Sequence, residues 1–502
     1  MNLLFHPLTL VTFLPLVGVL VIALLSERQR AAIRWVALIT SLATFGVALW
    51  VLSLFSVGTA DMQLEVNAPW LSFGAFQVGY HLGIDGVSLL MVLLTTFLTP
   101  IALLSTWTSV TDRVKGFMLF FLLLEVGMTG VFLALDLVLF YVFWEFTLVP
   151  MYFLIGIWGG ERRVYAAVKF FLFTMSGSLL MLLAILYMGF TAGTFDWNEL
   201  LAQRAAFAGA GLWLFLAFAA AFAIKVPMWP LHTWLPDAHV EAPTAGSVIL
   251  AGVMLKMGAY GFLRFNLALF PEIAVQAAPW MALLAVIGII YGAAVSYMQR
   301  DMKKLVAYSS VSHLGFVVLG LFALNQQGIS GGVLQMVNHG LSTGALFLVV
   351  GMLYERTHTR EMAAYGGIWK IVPILGTLML VVVLSSAGLP GLNGFVGEFT
   401  ILLGAYGSQI IGSPWFAVAA TVGVILAAVY LLLLYEKVFL GPVRNEERRK
   451  LVEINARELV TLIPLLIVIF WIGLYPKFFF ALLNPSVEKL VSLVQTAALA
   501  MR

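Results

Sequence analysis

Fourteen apolar runs divide this chain, each close to the roughly 20 residues a helix needs to cross a bilayer. They fall at about 8–25, 34–55, 84–107, 114–133, 137–157, 164–189, 210–235, 243–270, 278–298, 305–324, 328–354, 370–404, 413–440 and 457–480. Hydrophobic residues fill 62% of the 502 positions and charged ones 10%, a balance that leaves a soluble domain no polar surface. Strands of alternating polarity, as in a porin, are missing. The fold class is therefore an all-α polytopic membrane protein of about 14 transmembrane helices.

The same composition narrows function. With no cysteine, the chain offers no thiolate ligands to an iron–sulfur cluster and no disulfide. It has no P-loop and no strand-borne GxGxxG, so nucleotide binding is not expected. The net charge of +3 resides in short loops and does not point to nucleic acid. The first seven residues lack Lys and Arg, unlike a secretory signal.

Basic residues set the orientation. Loops after odd-numbered spans hold 19 of the 27 Lys and Arg, among them Arg28, Arg113, Arg162, Lys303, Arg360 and Arg448. The opposite side has only Arg204, Arg264, Lys477, Lys489 and Arg502. By the positive-inside rule both termini face outside, which an even number of spans requires. Asp61–His81, polar and between spans two and three, is expected to form an extramembrane hairpin, and the last twenty residues only a short terminal helix.

Spans four to eight and nine to thirteen are five-helix blocks of similar length. We divide the chain at 1–113 (three helices and the hairpin), 114–270 (first repeat), 271–440 (second repeat) and 441–502 (last helix and tail). In each block the fourth helix is broken, at Lys225-Val-Pro227 in the first and Gly388-Leu-Pro390 in the second. An odd number of helices gives consecutive blocks opposite topology, so the repeats are inverted. Inverted repeats with broken helices are the common build of ion-coupled transporters.

Within these spans a few ionisable groups lie too deep for chance. An ammonium at membrane depth costs roughly 3 kcal/mol or more. Lys225 sits in an apolar helix that Pro227 and Pro230 break at once. Thirteen residues into the next helix lies Lys256, too deep to reach water easily. Glu145 is set among aromatics in FYVFWEFT; paired with Lys225, both could ionise. A fixed ion pair would only set helix register, and it does not explain the further isolated charges. His313 follows a run of hydroxyls, His339 lies in QMVNH, and Glu398 comes just after the second break. Asp136 stands at the turn before span five, within reach of water, while Glu125 lies deep with no partner evident. Lys169, Arg264 and Glu436 lie near helix ends and are expected to snorkel. The turn from His232 to Glu241 has the donors for a metal, but polar loops beside a water cavity have the same composition, and no metal is assigned. Together the deep groups form a Glu–Lys–Lys–His–Glu series over two repeats, the composition of a proton relay.

The run Ile224–Thr244 (IKVPMWPLHTWLPDAHVEAPT) resembles the signature of the antiporter-like, proton-pumping subunits of complex I. Asp136–Tyr152, Leu250–Arg264, Ser309–Phe316, Gln335–Phe347 and Asn393–Phe399 agree with it. The resemblance implies functional residues at Glu145, Lys225, Lys256, His313 and Glu398. Subunits L and N of that family, and the related multisubunit cation/proton antiporters, carry Lys where this chain has Glu398, so the glutamate resembles the M branch. It further implies that NADH, FMN, iron–sulfur clusters and quinone are handled by partner subunits, with L and N as neighbours and a bacterial inner membrane as the setting. A Na⁺/H⁺ antiporter module and a membrane-bound hydrogenase arm are the alternatives that the residues themselves leave open.

Overall fold

The computed structural model describes residues 3–73 and 76–501. Among the described residues thirteen helices are long and apolar enough to cross a membrane, from Pro7–Leu24 to Ala456–Leu474. A fourteenth crossing is split into Pro373–Ser386 and Asn393–Gly407. Several helices start at a side-chain cap: His6, Asp85, Asp136, Asp301, Asn325 and Asn455 each accept a bond from the first turn. Asn455 and Glu458 form a capping box, and Glu458 also holds Arg356 through both guanidinium nitrogens, at 2.7 and 2.6 Å.

Thr244–Leu267, Met302–Phe322 and Gln326–Thr357 form the enclosed centre, while Arg30–Leu54 lies largely exposed at the periphery. Lys256, His313 and His339 belong to those three central helices.

The polar segment after span two is an antiparallel hairpin, Gln63–Phe73 paired with Phe76–Ile84, with Asn67 opposite His81. Backbone bonds stitch it onward: Leu135 N donates to His81 O (2.9 Å), and Trp197 N to Leu135 O (2.7 Å). We call this the hairpin end, and the end bearing Arg163, Lys303 and Arg360 the basic end.

The C-terminal helix departs from expectation. It runs from Lys477 to Ala500, 24 residues, and not as a short tail. Its buried residues, Phe479, Leu482, Leu483, Val487, Leu490, Val491 and Val494, recur at helical spacing on one face. Such a one-sided helix escapes a search for wholly apolar runs. It lies across the hairpin end: Ser486 accepts from Gly86 N (3.2 Å), Asn484 from Ser330 (2.8 Å), and Lys489 pairs with Asp61 (2.7 Å).

His81 clamps the hairpin down, bonded to Asp196 and, at 2.9 Å, to Glu65. Burial opposes its charge, but the Asp196 and Glu65 bonds outweigh that and hold the imidazole above its ordinary value. A group whose pKa is raised in the folded protein stabilises it fully below its unfolded value, near 6.5, and the gain fades as pH rises through the folded value. Protection of the Asn67–His81 amides against hydrogen exchange should therefore fall as pH rises above neutral. In His81→Gln that pH dependence should disappear; its persistence there would place the clamp elsewhere.

Candidate functional site

The first break follows from two prolines and is repaired locally. Pro227 cannot donate to Ala223 O, which accepts instead from Met228 N at 2.8 Å. Trp234 Nε1 donates to Ile224 O at 2.9 Å. These bonds hold Lys225 at the end of helix Gly211–Lys225, buried at 1% exposure. Its Nζ has no hydrogen-bond partner and lies 5.4 Å from the Trp144 ring and 5.7 Å from Phe170. Glu145 is half-buried, with one buried carboxylate oxygen also unpartnered. The two residues are near neighbours, yet they do not form the direct pair their sequence context suggests.

Lys256 is fully buried, in a helix interrupted on both sides by wider π turns at Leu250–Met254 and Phe262–Leu267. Turns of that kind leave carbonyls out of the regular ladder and recur at functional sites. The lysine uses one of them, donating to Ala251 O, and its Nζ is 2.6 Å from His339 Nδ1. This contact joins the two halves of the molecule.

From His339 the polar groups continue. Its ring lies 6.0 Å from that of His313, centre to centre. His313 Nδ1 is 2.8 Å from Glu398, and Tyr430 Oη is 3.1 Å from its other nitrogen. Gln335 also donates to Glu398, at 3.0 Å. Between the two histidines is a cavity with about 10 Å³ open to the centre of a water molecule, bordered by Asn338, Ser342 and Ser386. His339 Nε2, Asn338 Oδ1 and Ser386 Oγ are buried without protein partners. A space of that size with several polar groups suits one water.

The second break positions Glu398. Gly388 (φ +78°) and Gly391 (φ +92°) supply the left-handed turns that other residues adopt only at a cost. Asn393 then ties the turn to the core, accepting from Ser385 at 2.6 Å while its carbonyl accepts from Asn338 at 2.8 Å. Glu398 follows one turn later, 3% exposed.

At the basic end a vestibule of about 650 Å³ opens among Arg163, Glu241, Lys303, Glu355, His358 and Arg360. Lys303 bonds the carbonyls of Val240 and Ala242, where the short helix Trp234–Glu241 ends. Beside it His239 stacks on Phe347 at 4.7 Å, both ring nitrogens unpartnered, with Lys303 and Lys256 as its charged neighbours. By sequence Lys303 lies among the loop charges and His239 in a polar turn; nothing in either local context reveals that the two lie side by side.

The remaining sequence candidates lie apart. Asp136 is a buried cap at the hairpin end, accepting from Val138, Leu139 and Gly79 at 2.9, 3.1 and 3.0 Å. Both oxygens of Glu125 are buried without partners. Lys169 is held by Asp237 at 2.7 Å. Arg264 does not snorkel: it is buried and paired with Asp85 at 2.9 Å. Among the described residues no group of three or more His, Asp or Glu is arranged to hold a metal ion.

Comparison with known proteins decides the family. Residues 134–427 match the family described as "NADH:quinone oxidoreductase/Mrp antiporter, TM". NADH-quinone oxidoreductase subunit M of Rhodobacter capsulatus is 47% identical over 500 residues, 96% of each chain. The chain belongs to the subunit M family of NADH:quinone oxidoreductases. NADH-ubiquinone oxidoreductase chain 4 of Marchantia polymorpha is 44% identical over 95% of both chains. A chain of respiratory complex I from Thermus thermophilus superposes with a TM-score of 0.85 at 35% identity, over 97% of this chain and 99% of that one. A chain of the archaeal membrane-bound sulfane sulfur reductase superposes at 0.83 and 25% identity, over 93% and 76%.

Proposed function

We propose that this chain is the proton-translocating subunit M of a bacterial NADH:quinone oxidoreductase, coupling electron transfer in partner subunits to proton movement through its own buried charges. The observation that carries this reading is the line of contacts Lys256–His339, His313–Glu398 and the polar cavity between them, running from the helix after the first break to the helix after the second. Protons enter from the basic end through the vestibule, past Lys303 and His239, reach Lys256, and cross by His339 and His313 to Glu398. By the positive-inside rule the basic end faces the cytoplasm, and both termini face the periplasm. NADH, FMN, clusters and quinone belong to partner subunits, with the antiporter-like subunits L and N as neighbours. The blocks 114–270 and 271–440 act as the two half-channels.

Glu145 and Lys225 set the timing. An opposite charge nearby shifts a pKa by about 1–3 units, so a small movement of Glu145 relative to Lys225 changes how firmly the lysine holds its proton. The partial exposure of Glu145 leaves it open to a neighbouring subunit. Glu145→Gln keeps the shape and removes the charge. It should cut both NADH:quinone activity and the proton gradient, measured in membranes with assembly confirmed, while Glu145→Asp retains part of each. Assembled Glu145→Gln and Lys225→Ala complexes that both pump like wild type would reduce this pair to a structural contact.

A further inference from the structure

A second buried polar centre, outside the relay, lies at the hairpin end. Arg264 donates to Asp85 (2.9 Å), Ser88 (3.1 Å) and Tyr260 (3.2 Å), and its guanidinium lies 5.4 Å from the Trp197 ring. We infer that the Arg264–Asp85 centre seals the hairpin end of the first repeat, a fully engaged ion pair beyond Lys256 that relays no proton, so that the lysine's proton passes to His339 and not outward. The inference rests on the relay reading only in taking Lys256 as the carrier.

Three features support a seal. Lys256, Tyr260 and Arg264 are spaced four residues apart and share one face of their helix. Eight residues of helix separate lysine from arginine, about 12 Å. A proton leaving Lys256 along that face meets Tyr260 and then the guanidinium. The Tyr260 hydroxyl has one proton, and it is engaged with Phe132 O at 3.0 Å. Beyond it is a guanidinium that does not deprotonate in proteins and whose hydrogens are held by Asp85, Ser88 and Tyr260, so it cannot relay a proton.

The scaffold also fixes that cation in place. Asp85 caps Gly86–Ser105 through Ser88 N (2.9 Å), so the counter-ion is tied to a helix start. Trp197 Nε1 donates to Arg264 O (3.0 Å), satisfying a carbonyl of the second π turn. The alternative is a staple that holds three elements together and has no bearing on protons.

A passive leak measurement separates the two, in membrane vesicles holding the whole assembled complex without NADH. An imposed pH gradient is followed by a pH-sensitive dye. The variant is Arg264→Met with Asp85→Asn: removing both charges avoids an uncompensated buried ion, and asparagine preserves the cap. Arg264→Gln with Asp85→Asn, which keeps a hydrogen bond between the two side chains, is the second variant. Both should dissipate the gradient several-fold faster than wild type, and adding Lys256→Ala should restore the slow rate. A wild-type leak rate in either assembled variant overturns the seal; a fast leak that survives Lys256→Ala overturns the route through that lysine. Failure of the relay reading shows separately, as wild-type pumping by Lys256→Ala alone, whatever the leak rates.

Discussion

Lys256→Ala should give an assembled complex whose NADH:quinone activity falls about tenfold or more, the factor that corresponds to some 1.4 kcal/mol on the rate-limiting barrier. Loss of the ammonium breaks the contact with His339 and removes the bond to Ala251 O. Leaving a buried acceptor unsatisfied costs about 1–3 kcal/mol. The same substitution removes a buried charge and installs the best helix former, and both effects favour folding. Assembly is therefore expected to survive while transfer between the repeats does not. Quinone reductase rates, normalised to the assembled complex on native gels, check this. Wild-type turnover would return Lys256 to a packing role.

Glu398 should show an equally large effect with a different pattern. In Glu398→Gln the amide keeps the length of the side chain and can still bond His313 and Gln335, now at 2.8 and 3.0 Å from the carboxylate. Only the titratable group is lost, so proton transfer should fall about tenfold while thermal stability changes by less than about 1 kcal/mol, the scale of one exchanged hydrogen bond. Glu398→Asp keeps the proton-binding group one methylene further back and should retain a substantial share. Glu398→Lys should retain some activity, since related subunits carry lysine there. Pumping by Glu398→Gln equal to wild type would show that protons do not pass through this carboxyl.

Much of this arrangement was legible in the chain. Pro227 and Pro230 announce the first break because proline cannot continue the ladder, and the depth of Lys256 follows from counting residues into its span. The second break shows in Gly388–Gly394, where two glycines take left-handed turns. What stayed hidden depends on residues far apart in sequence. Nothing around His339 in sequence shows its partner, which lies 83 residues away. Arg264 read as a snorkelling cation because it lies within two turns of its span's end; Asp85, the cap of another helix, captures it. The π turns around Lys256 carry no proline or other local signature, and they arise from packing in the enclosed centre. Glu145 shows the reverse case. Its aromatic context suggests a direct pair with Lys225; the carboxyl is part-buried near that lysine, one oxygen enclosed, but no direct contact forms.

The central claim is that protons pass from one half of the molecule to the other through His339, whose side chain reaches Lys256 from the second block. The most direct measurement is the number of protons moved per NADH oxidised in vesicles containing assembled His339→Leu complex. Leucine fills the space and supplies no proton-binding nitrogen. The account predicts a clear drop in that ratio, with quinone reduction slowed alongside; an unchanged ratio at a wild-type rate would contradict it.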